Sequence, residues 1–222
     1  MSESSVYCIK RSTLLDGYGT WTGINSDRLV DLYKLLQSKG EFRPREEVET
    51  DDDYLQLVPW IIVQRYDRLW VMQRVLGPEE PRINSPLKLG VRGHIEKPDD
   101  DIQVPDPVAW GTRRLWTSTM SVDRTCRAHL VGALMDSEHE VDRYHLGLIF
   151  FVGLQNGIPE IDPSLNLTGS FRSTETLRKH RQDLDQWSKW MVESLNSGRL
   201  TRSLPGDRLV FRANQRPQAS VV

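Results

Sequence analysis

The stretch of sequence that decides the fold begins Leu87-Lys88-Leu89-Gly90-Val91-Arg92-Gly93-His94-Ile95-Glu96 and continues to residue 152. Apolar side chains alternate at its start, which predicts a short strand that runs into a glycine turn. After an aspartate-rich loop, Asp106 supplies a capping carboxylate and Pro107 occupies the first helical position. We therefore predict a helix over residues 108–120, followed by a strand, an acidic turn and a closing strand over residues 141–154.

The predicted helix has two distinct faces. Its apolar stripe recurs at helical spacing and should face the core. The stripe consists of Val108, Thr112, Leu115, Trp116 and Thr119. Arg114, Thr117 and Ser118 lie together on another face, on the side where a ligand would bind. These polar residues are therefore the candidates for chemistry on the helix.

These segments resemble the sequence signature of the Nudix hydrolases, and in particular the branch described as phosphoesterases. The matching segments are residues 57–63, 89–95, 113–115, 132–137, 142–150 and 186–190. The resemblance implies an α/β (α+β) fold, namely a Nudix-like α/β/α sandwich with a mixed β-sheet, plus an N-terminal helix and a C-terminal helical extension. It places the Nudix-like domain at residues 51–200, after a strand/helix extension and acidic linker at residues 1–50 and before a tail at residues 201–222.

The sequence departs from the family pattern at the helix. In Nudix hydrolases the helix reads arginine-glutamate-aliphatic-any-glutamate-glutamate, and its carboxylates lie on one face and bind Mg²⁺. The aligned positions here are Arg114, Thr117 and Ser118, and no carboxylate lies between residues 108 and 121. Without a metal, hydrolysis of a phosphoanhydride loses its charge neutralisation and its activated water. We therefore favour a degenerate metal box and an inactive hydrolase-like protein over an active enzyme, and we expect no cofactor.

Arg114 suggests that the pocket binds a ligand. A guanidinium among hydroxyl groups can hold a phosphate through bidentate hydrogen bonds. The candidate ligand-binding residues are Arg92, Gly93, His94, Arg114, Thr117, Ser118 and His145. This interpretation predicts a nucleotide, a nucleoside-diphosphate-linked compound or another phosphate-containing small molecule as ligand, in a regulatory or non-catalytic role. A solvated Arg114 and a hydrogen-bonded core His145 are the alternatives that the sequence leaves open.

A second hypothesis retains catalysis. Carboxylates in the loops around the helix would replace the missing ligands, and Mg²⁺ would then be the cofactor. The candidate metal ligands are Glu96, Asp99, Asp100 and Asp101, and the candidate catalytic residues are Glu96, Glu138, Glu140 and Asp142. The chain would then be an active Mg-dependent Nudix pyrophosphohydrolase or phosphoesterase. Simple solvation of both acidic loops is the alternative.

A third hypothesis makes the chain a scaffold or interaction subunit. Ser26 and Gly40 predict the start and the end of an N-terminal helix. This helix or the C-terminal extension would contact a protein partner or a second copy in a homodimer. The apolar stripe of the N-terminal helix is Leu29, Leu32, Tyr33 and Leu36.

Composition argues against several other classes of protein. The net charge of the 222 residues is -2, with cations and anions interspersed, so nothing indicates nucleic-acid binding. No run of residues approaches the roughly 20 apolar positions of a membrane span, and the first nine residues lack a secretory signal. Cys8 and Cys126 show no metal-ligand spacing, which predicts reduced thiols and a cytoplasmic protein.

The flanking segments predict further elements. Residues 55–65 and 69–75 read as the two strands of a hairpin, and residues 6–10 as an edge strand. The acidic run at residues 46–53 is typical of a solvated linker. Residues 184–195 carry a helical apolar stripe, and residues 208–212 read as a short strand.

Overall fold

The computed structural model describes residues 4–75, 86–98, 103–139, 142–196 and 209–213. In these ranges the helices are α1 (Arg11–Tyr18), α2 (Leu29–Lys39), α3 (Arg45–Val48), α4 (Pro107–Thr119), α5 (Thr174–Lys179) and α6 (Gln186–Asn196). The strands are β1 (Ser5–Lys10), β2 (Gly23–Asn25), β3 (Glu41–Pro44), β4 (Tyr54–Arg65), β5 (Arg68–Arg74), β6 (Lys88–Leu89), β7 (Val91–Arg92), β8 (Met120–Ser121), β9 (Cys126–Met135), β10 (His145–Gly153), β11 (Glu160–Ile161), β12 (Leu167–Ser173) and β13 (Leu209–Phe211).

One mixed sheet with the main order β12-β5-β4-β10-β9-β13 forms the centre of the molecule. The pair β4 and β10 is parallel, and the other pairs along this path are antiparallel. The middle of β4 also pairs with β7, and its first residues pair with β1. The loop after β7 therefore runs beside the middle of the central strand.

Alternate residues of β4 face two different layers of helices, as expected for a strand buried on both sides. Leu55, Leu57 and Ile61 belong to a core that includes residues of α2 and α4. Val58, Trp60 and Ile62 belong to a second core that includes Trp187 and Met191 of α6. The helices thus cover both faces of the sheet, and the predicted α/β/α sandwich with a mixed sheet is confirmed.

Helix α4 forms as the sequence predicts. The Asp106 side chain accepts a hydrogen bond of 2.9 Å from the backbone N–H of Ala109, and Pro107 is the first helical residue. Its buried face includes Val108, Thr112 and Trp116. A Cβ on Gly111 would lie 2.6 Å from Ile95 Cγ2, so the glycine allows α4 to approach the loop after β7 closely.

The predicted hairpin appears as β4 and β5, and the predicted strand near the C-terminus appears as β13. The edge position of residues 6–10 is wrong, because β1 lies between β3 and β4. The predicted cap at Ser26 is also wrong, since α2 starts after Arg28, which has a φ of 52°.

The acidic segment, predicted as a solvated linker, contains α3, and Val48 packs in a small core with Val6, Cys8 and Tyr54. The division of the chain at residues 50 and 200 stays a prediction from the sequence.

Candidate functional site

The outer face of α4 carries Arg114 at its centre. The guanidinium Nη2 of Arg114 lies 3.8 Å from Glu96 Oε2, and its centre lies 5.4 Å from the ring centroid of Trp110. Both charged side chains are close to half exposed. An exposed ion pair of this length contributes little, about 0–1 kcal/mol, so solvent or another anion can replace it at small cost.

The two hydroxyl groups on this face bond to their own helix. Thr117 Oγ1 donates to the carbonyl oxygens of Arg113 (3.0 Å) or Arg114 (3.1 Å), and Ser118 Oγ donates to that of Leu115 (3.2 Å). Such bonds to the preceding turn are common for hydroxyl side chains in helices. The outer face of α4 therefore presents a cation and two neutral hydroxyl groups.

The loop after β7 lies against α4 and links it to α6. A Cβ on Gly93 would lie 3.0 Å from Leu115 Cδ1, so the loop packs tightly on the helix. Arg92 Nη2 donates a 2.6 Å hydrogen bond to Asp185 Oδ2, and the guanidinium lies 4.9 Å from the ring centroid of Trp187. Arg92 Nη1 is buried and bonds to none of the described residues.

His94 and His145 form a pair beside this loop. Their Nε2 atoms lie 3.1 Å apart, so one ring donates and the other accepts. Burial, together with the neighbouring charges of His145 and Arg45, lowers the pKa of His94 to about 4. His94 is therefore neutral near pH 7 and offers a hydrogen bond without a charge.

Acidic groups gather near His145 at the turn that precedes β10. Burial raises the pKa of Asp142, while the positive charges of Arg92, His145 and His139 oppose that rise. Burial would also raise the pKa of Asp136, but hydrogen bonds from His139 and from the backbone N–H groups of Glu138 and His139 lower it. Asp136 Oδ2 lies 2.7 Å from His139 Nδ1.

A pocket of about 470 Å³ opens at the C-terminal end of α4, and we call it the α4 pocket. Its polar lining consists of Gln73, Arg74, Lys88, Gly90, Arg92 and Thr119, over a floor that includes Met72, Val91 and Leu167. None of the described residues in the lining is acidic, and neither Arg74 nor Lys88 forms an ion pair with a described residue. The pocket therefore has a net positive lining.

The chain is similar in sequence to one known protein and in structure to known Nudix proteins. No family model matches the chain. It is 21% identical over 183 residues to Protein YmaB of Bacillus subtilis (strain 168), a match that covers 79% of this chain and 89% of YmaB. The crystal structure of Tm1382, a candidate Nudix hydrolase, superposes with a TM-score of 0.73 at 22% identity, covering 87% of this chain and 98% of Tm1382.

This chain has the Nudix fold. A MutT Nudix hydrolase from Burkholderia pseudomallei is also similar, with a TM-score of 0.40 at 14% identity over 62% of this chain and 95% of that protein. No helix in the described part of the chain combines the length and the apolar character needed to cross a membrane.

On the Nudix fold, the seven candidate ligand residues fall into two groups. Arg114, Thr117 and Ser118 lie on α4, whereas Arg92 bonds to Asp185 next to α6 and His94 bonds to His145 at the start of β10. Arg92 is the candidate that lines the α4 pocket. The candidate residues thus lie on α4, in the segment 92–94 and at the start of β10.

The carboxylates proposed for the alternative site are spread over the Nudix fold. Glu96 lies beside Arg114, Glu138 is exposed, and Asp142 is half-buried near Arg92 and His145. Asp99, Asp100, Asp101 and Glu140 lie outside the described residues. Across the described ranges, no three or more His, Cys, Asp or Glu side chains are arranged to hold a metal ion.

Two cations of the α4 pocket, Arg74 and Lys88, are not among the residues predicted from the sequence. Lys88 stands in the strand that opens the decisive stretch, and Arg74 ends the second strand of the predicted hairpin. The alternation of apolar residues around Lys88 was the available signal, since it puts a charged side chain on a strand next to the glycine turn.

Proposed function

We propose that this chain binds a nucleotide, or a nucleoside-diphosphate-linked compound, in a regulatory or non-catalytic role. The observation that carries the proposal is the α4 pocket, whose lining includes Arg74 and Lys88, neither of which forms an ion pair with a described residue, and none of the described acidic residues. A concave site with convergent cations favours a phosphate-bearing ligand. The Nudix fold supports a nucleotide-related ligand, and the substituted helix positions favour binding over turnover.

The positions of Arg74 and Lys88 on the sheet suit a diphosphate group. Lys88 pairs with Met72 across the ladder, and Arg74 lies two residues beyond Met72 on the same face of β5. Such diagonal neighbours are about 7–8 Å apart at their Cα atoms, within reach of two long side chains. Both side chains can therefore contact adjacent phosphates of one ligand.

Arg114 can join the ligand by exchanging its partner. The pair with Glu96 is exposed and 3.8 Å long, whereas a phosphate offers two oxygens to the guanidinium fork. Charge-assisted hydrogen bonds of this kind are the stronger ones, so the exchange should be favourable. His94, which is neutral near pH 7, would supply a hydrogen bond without a charge.

Titration calorimetry with ADP-ribose and a small nucleotide panel, with and without Mg²⁺, tests the proposal, with product release followed on the same samples. We expect binding that is indifferent to Mg²⁺ and yields no product. The double variant Arg74→Gln/Lys88→Gln should weaken binding by about tenfold or more, because it removes two charge-assisted hydrogen bonds. Arg127→Gln, which replaces an exposed arginine on β9 outside the pocket lining, is the matched control.

A separate pair of variants tests Arg114. Arg114→Gln should weaken binding, whereas Arg113→Gln, at the exposed neighbouring position of α4, should leave it unchanged. Equal affinity of both variants and the wild type would remove Arg114 from the site. No affinity of the wild type for any compound in the panel would refute the proposed function itself.

A second candidate function is Mg-dependent hydrolysis by relocated carboxylates, and the observation that favours it is the half-buried Asp142, whose pKa is raised by burial and which lies near the charges of Arg92 and Asp136. Under this function, turnover of ADP-ribose would require Mg²⁺ and would be abolished by Asp142→Asn. Glu160→Gln, at an exposed residue of β11, is the control. Turnover that survives alanine at Glu96, Asp99, Asp100, Asp101, Glu138, Glu140 and Asp142 would exclude this mechanism.

A further inference from the structure

His94 and His145 meet at one point from two different elements, and we call them the histidine pair. His94 lies in the loop after β7, and His145 is the first residue of β10. Strand β4 lies between these elements, because its Trp60 pairs with Arg92 of β7 and its Gln56 pairs with His145. The two rings therefore reach toward each other across the central strand, and their Nε2 atoms lie 3.1 Å apart.

The separation of these two nitrogen atoms fits a shared metal ion. Zn²⁺ binds histidine nitrogen at about 2.0–2.1 Å, so two such ligands 3.1 Å apart subtend an angle of about 100° at the ion. That angle lies between those of octahedral and tetrahedral coordination. The ring centroids are 5.2 Å apart and the ring planes are inclined by 50°, so a small rotation of each side chain directs both lone pairs to one point.

The buried side-chain oxygen of Gln56 is a second, independent observation. Gln56 is 1% exposed, and its Nε2 donates a 3.1 Å hydrogen bond to the carbonyl oxygen of Val48. Its Oε1 is buried and bonds to none of the described residues. Paired residues of neighbouring strands lie about 4.8 Å apart on one face of the sheet, so Gln56 lies beside His145. A buried acceptor of this kind calls for a donor, and water bound to a metal ion would supply one.

Two carboxylates near the histidine pair favour a cation there. The hydrogen bond from Arg45 lowers the pKa of Glu49 most, and the charges of both histidines lower it further, so Glu49 lies near the pair. Burial raises the pKa of Asp142, while the charges of Arg92 and His145 oppose that rise. Within the described ranges neither carboxylate completes a group of three metal ligands. Water or a bound molecule would therefore take the remaining coordination positions.

We propose that the histidine pair binds a divalent transition-metal ion of the Zn²⁺ type through both Nε2 atoms. Imidazole nitrogen suits Zn²⁺, Ni²⁺ and Cu²⁺, whereas Mg²⁺ prefers oxygen ligands. The site is therefore distinct from the magnesium box, whose positions on α4 are Arg114, Thr117 and Ser118. When the ion binds, the ring that donates within the pair carries its proton on Nδ1 instead, and no net proton is released.

The metal site goes beyond the proposed function and does not depend on it. Both histidines are half-buried, so an ion and its water ligands can reach them from solvent. Neither histidine lines the α4 pocket. The pocket variant Arg74→Gln/Lys88→Gln should therefore bind Zn²⁺ as the wild type does, even though it loses affinity for nucleotides.

Titration calorimetry of the full chain with ZnCl₂ tests the inference. We expect one Zn²⁺ ion per chain and no binding of Mg²⁺ at the pair. His94→Gln and His145→Gln should each weaken Zn²⁺ binding by about tenfold or more, since residues that merely orient metal ligands are already worth about 10–100-fold in affinity. The matched controls are His139→Gln and His180→Gln, at exposed histidines away from the pair, and both should leave the affinity unchanged.

Titration with Co²⁺ adds a spectroscopic measurement, because the visible absorption of this ion reports its ligands. The wild type should develop a visible band that His145→Gln lacks. Failure of the wild type to bind Zn²⁺ and Co²⁺, or binding that both pair variants retain, would overturn the inference, whatever happens at the α4 pocket. Should one pair variant fold poorly, the other gives the same test.

Discussion

Single residues decide the electrostatics around the loop after β7. His94 is held neutral by burial and by its hydrogen-bonded partner His145, and Arg92 is bound between Asp185 and the Trp187 ring. Both residues belong to the segment Arg92-Gly93-His94, so one short loop fixes a neutral donor and a cation side by side. Changes at or next to Arg92 and His94 should therefore alter the free energy of unfolding.

The depressed pKa of His94 predicts a pH dependence of folding. Because its pKa of about 4 lies below the ordinary 6.5, the unfolded chain binds more protons between these pH values. Neutral His94 therefore makes its full contribution to the free energy of unfolding above pH 6.5. This contribution is at most about 3 kcal/mol, and it is lost as the pH falls through 4. Urea unfolding of wild type and His94→Gln across this range should show a smaller loss of stability in the variant.

Asp142 provides the matched control for that experiment, because its raised pKa acts with the opposite sign. A folded carboxyl group that binds protons more readily than the unfolded one favours folding as the pH falls. The difference between wild type and His94→Gln should persist in an Asp142→Asn background. Equal slopes of wild type and His94→Gln in both backgrounds would show that His94 titrates normally.

Removal of Asp185 should destabilise the fold. Asp185→Asn leaves the Arg92 guanidinium without its 2.6 Å partner in a position that is only a quarter exposed. An unpaired, partly buried charge costs about 2 kcal/mol, measured as a free energy of unfolding in urea. Glu49→Gln breaks an exposed pair with Arg45 and should cost less than about 0.5 kcal/mol. Similar losses of stability for the two variants would contradict the role given to burial.

At the scale of elements, the turn between β6 and β7 depends on one glycine. Gly90 has a φ of 60°, and a Cβ there would lie 2.0 Å from the carbonyl oxygen of Ile61 in β4. We predict that Gly90→Ala destabilises the protein by roughly 3 kcal/mol or more, because it strains the backbone and clashes with the central strand.

Gly17 is the control for that substitution. It lies within α1, and a Cβ there meets nothing within 4 Å. Gly17→Ala should therefore stabilise by about 0.5–1 kcal/mol, as measured by the midpoint of thermal unfolding. A Gly90→Ala protein as stable as the wild type would show that the turn can shift away from β4.

Local patterns in the sequence predict some elements well and others poorly. Helix α4 is predicted because Asp106 and Pro107 mark its start, and β4 with β5 because a β-branched run is followed by a turn. The start of α2 is missed because Asn25 Oδ1 accepts from the N–H of Asp27, and this turn delays the helix to Leu29. The inner position of β1 depends on pairing with β3, which no local pattern shows.

At the scale of the whole molecule, the α4 pocket is built from remote segments. It takes Arg74 from β5, Lys88 from β6 and Thr119 from α4. The sequence predicts the chemistry of α4, because its polar face follows from helical spacing. It does not predict the α4 pocket, because Arg74 and Lys88 meet only when β5 pairs with β6.

This clustering of cations predicts a salt-dependent affinity. Raising NaCl from about 50 mM to about 500 mM should weaken ADP-ribose binding at the α4 pocket by about tenfold, since screening acts on exposed charges. In Arg74→Gln/Lys88→Gln the residual binding should respond less to salt. An identical salt response in both proteins, measured by calorimetry, would mean that these cations do not contact the ligand.

The parallel pairing of β4 with β10 has a consequence for folding kinetics. His145 pairs with Gln56, so the two central strands meet only when residues about ninety positions apart come together. Bringing together two strands that are so far apart in the chain is slow. Until these strands pair, the helices on both faces lack the sheet on which they pack. The transition state for refolding should therefore contain this strand pair, and substitutions that weaken it should slow refolding more than they speed unfolding.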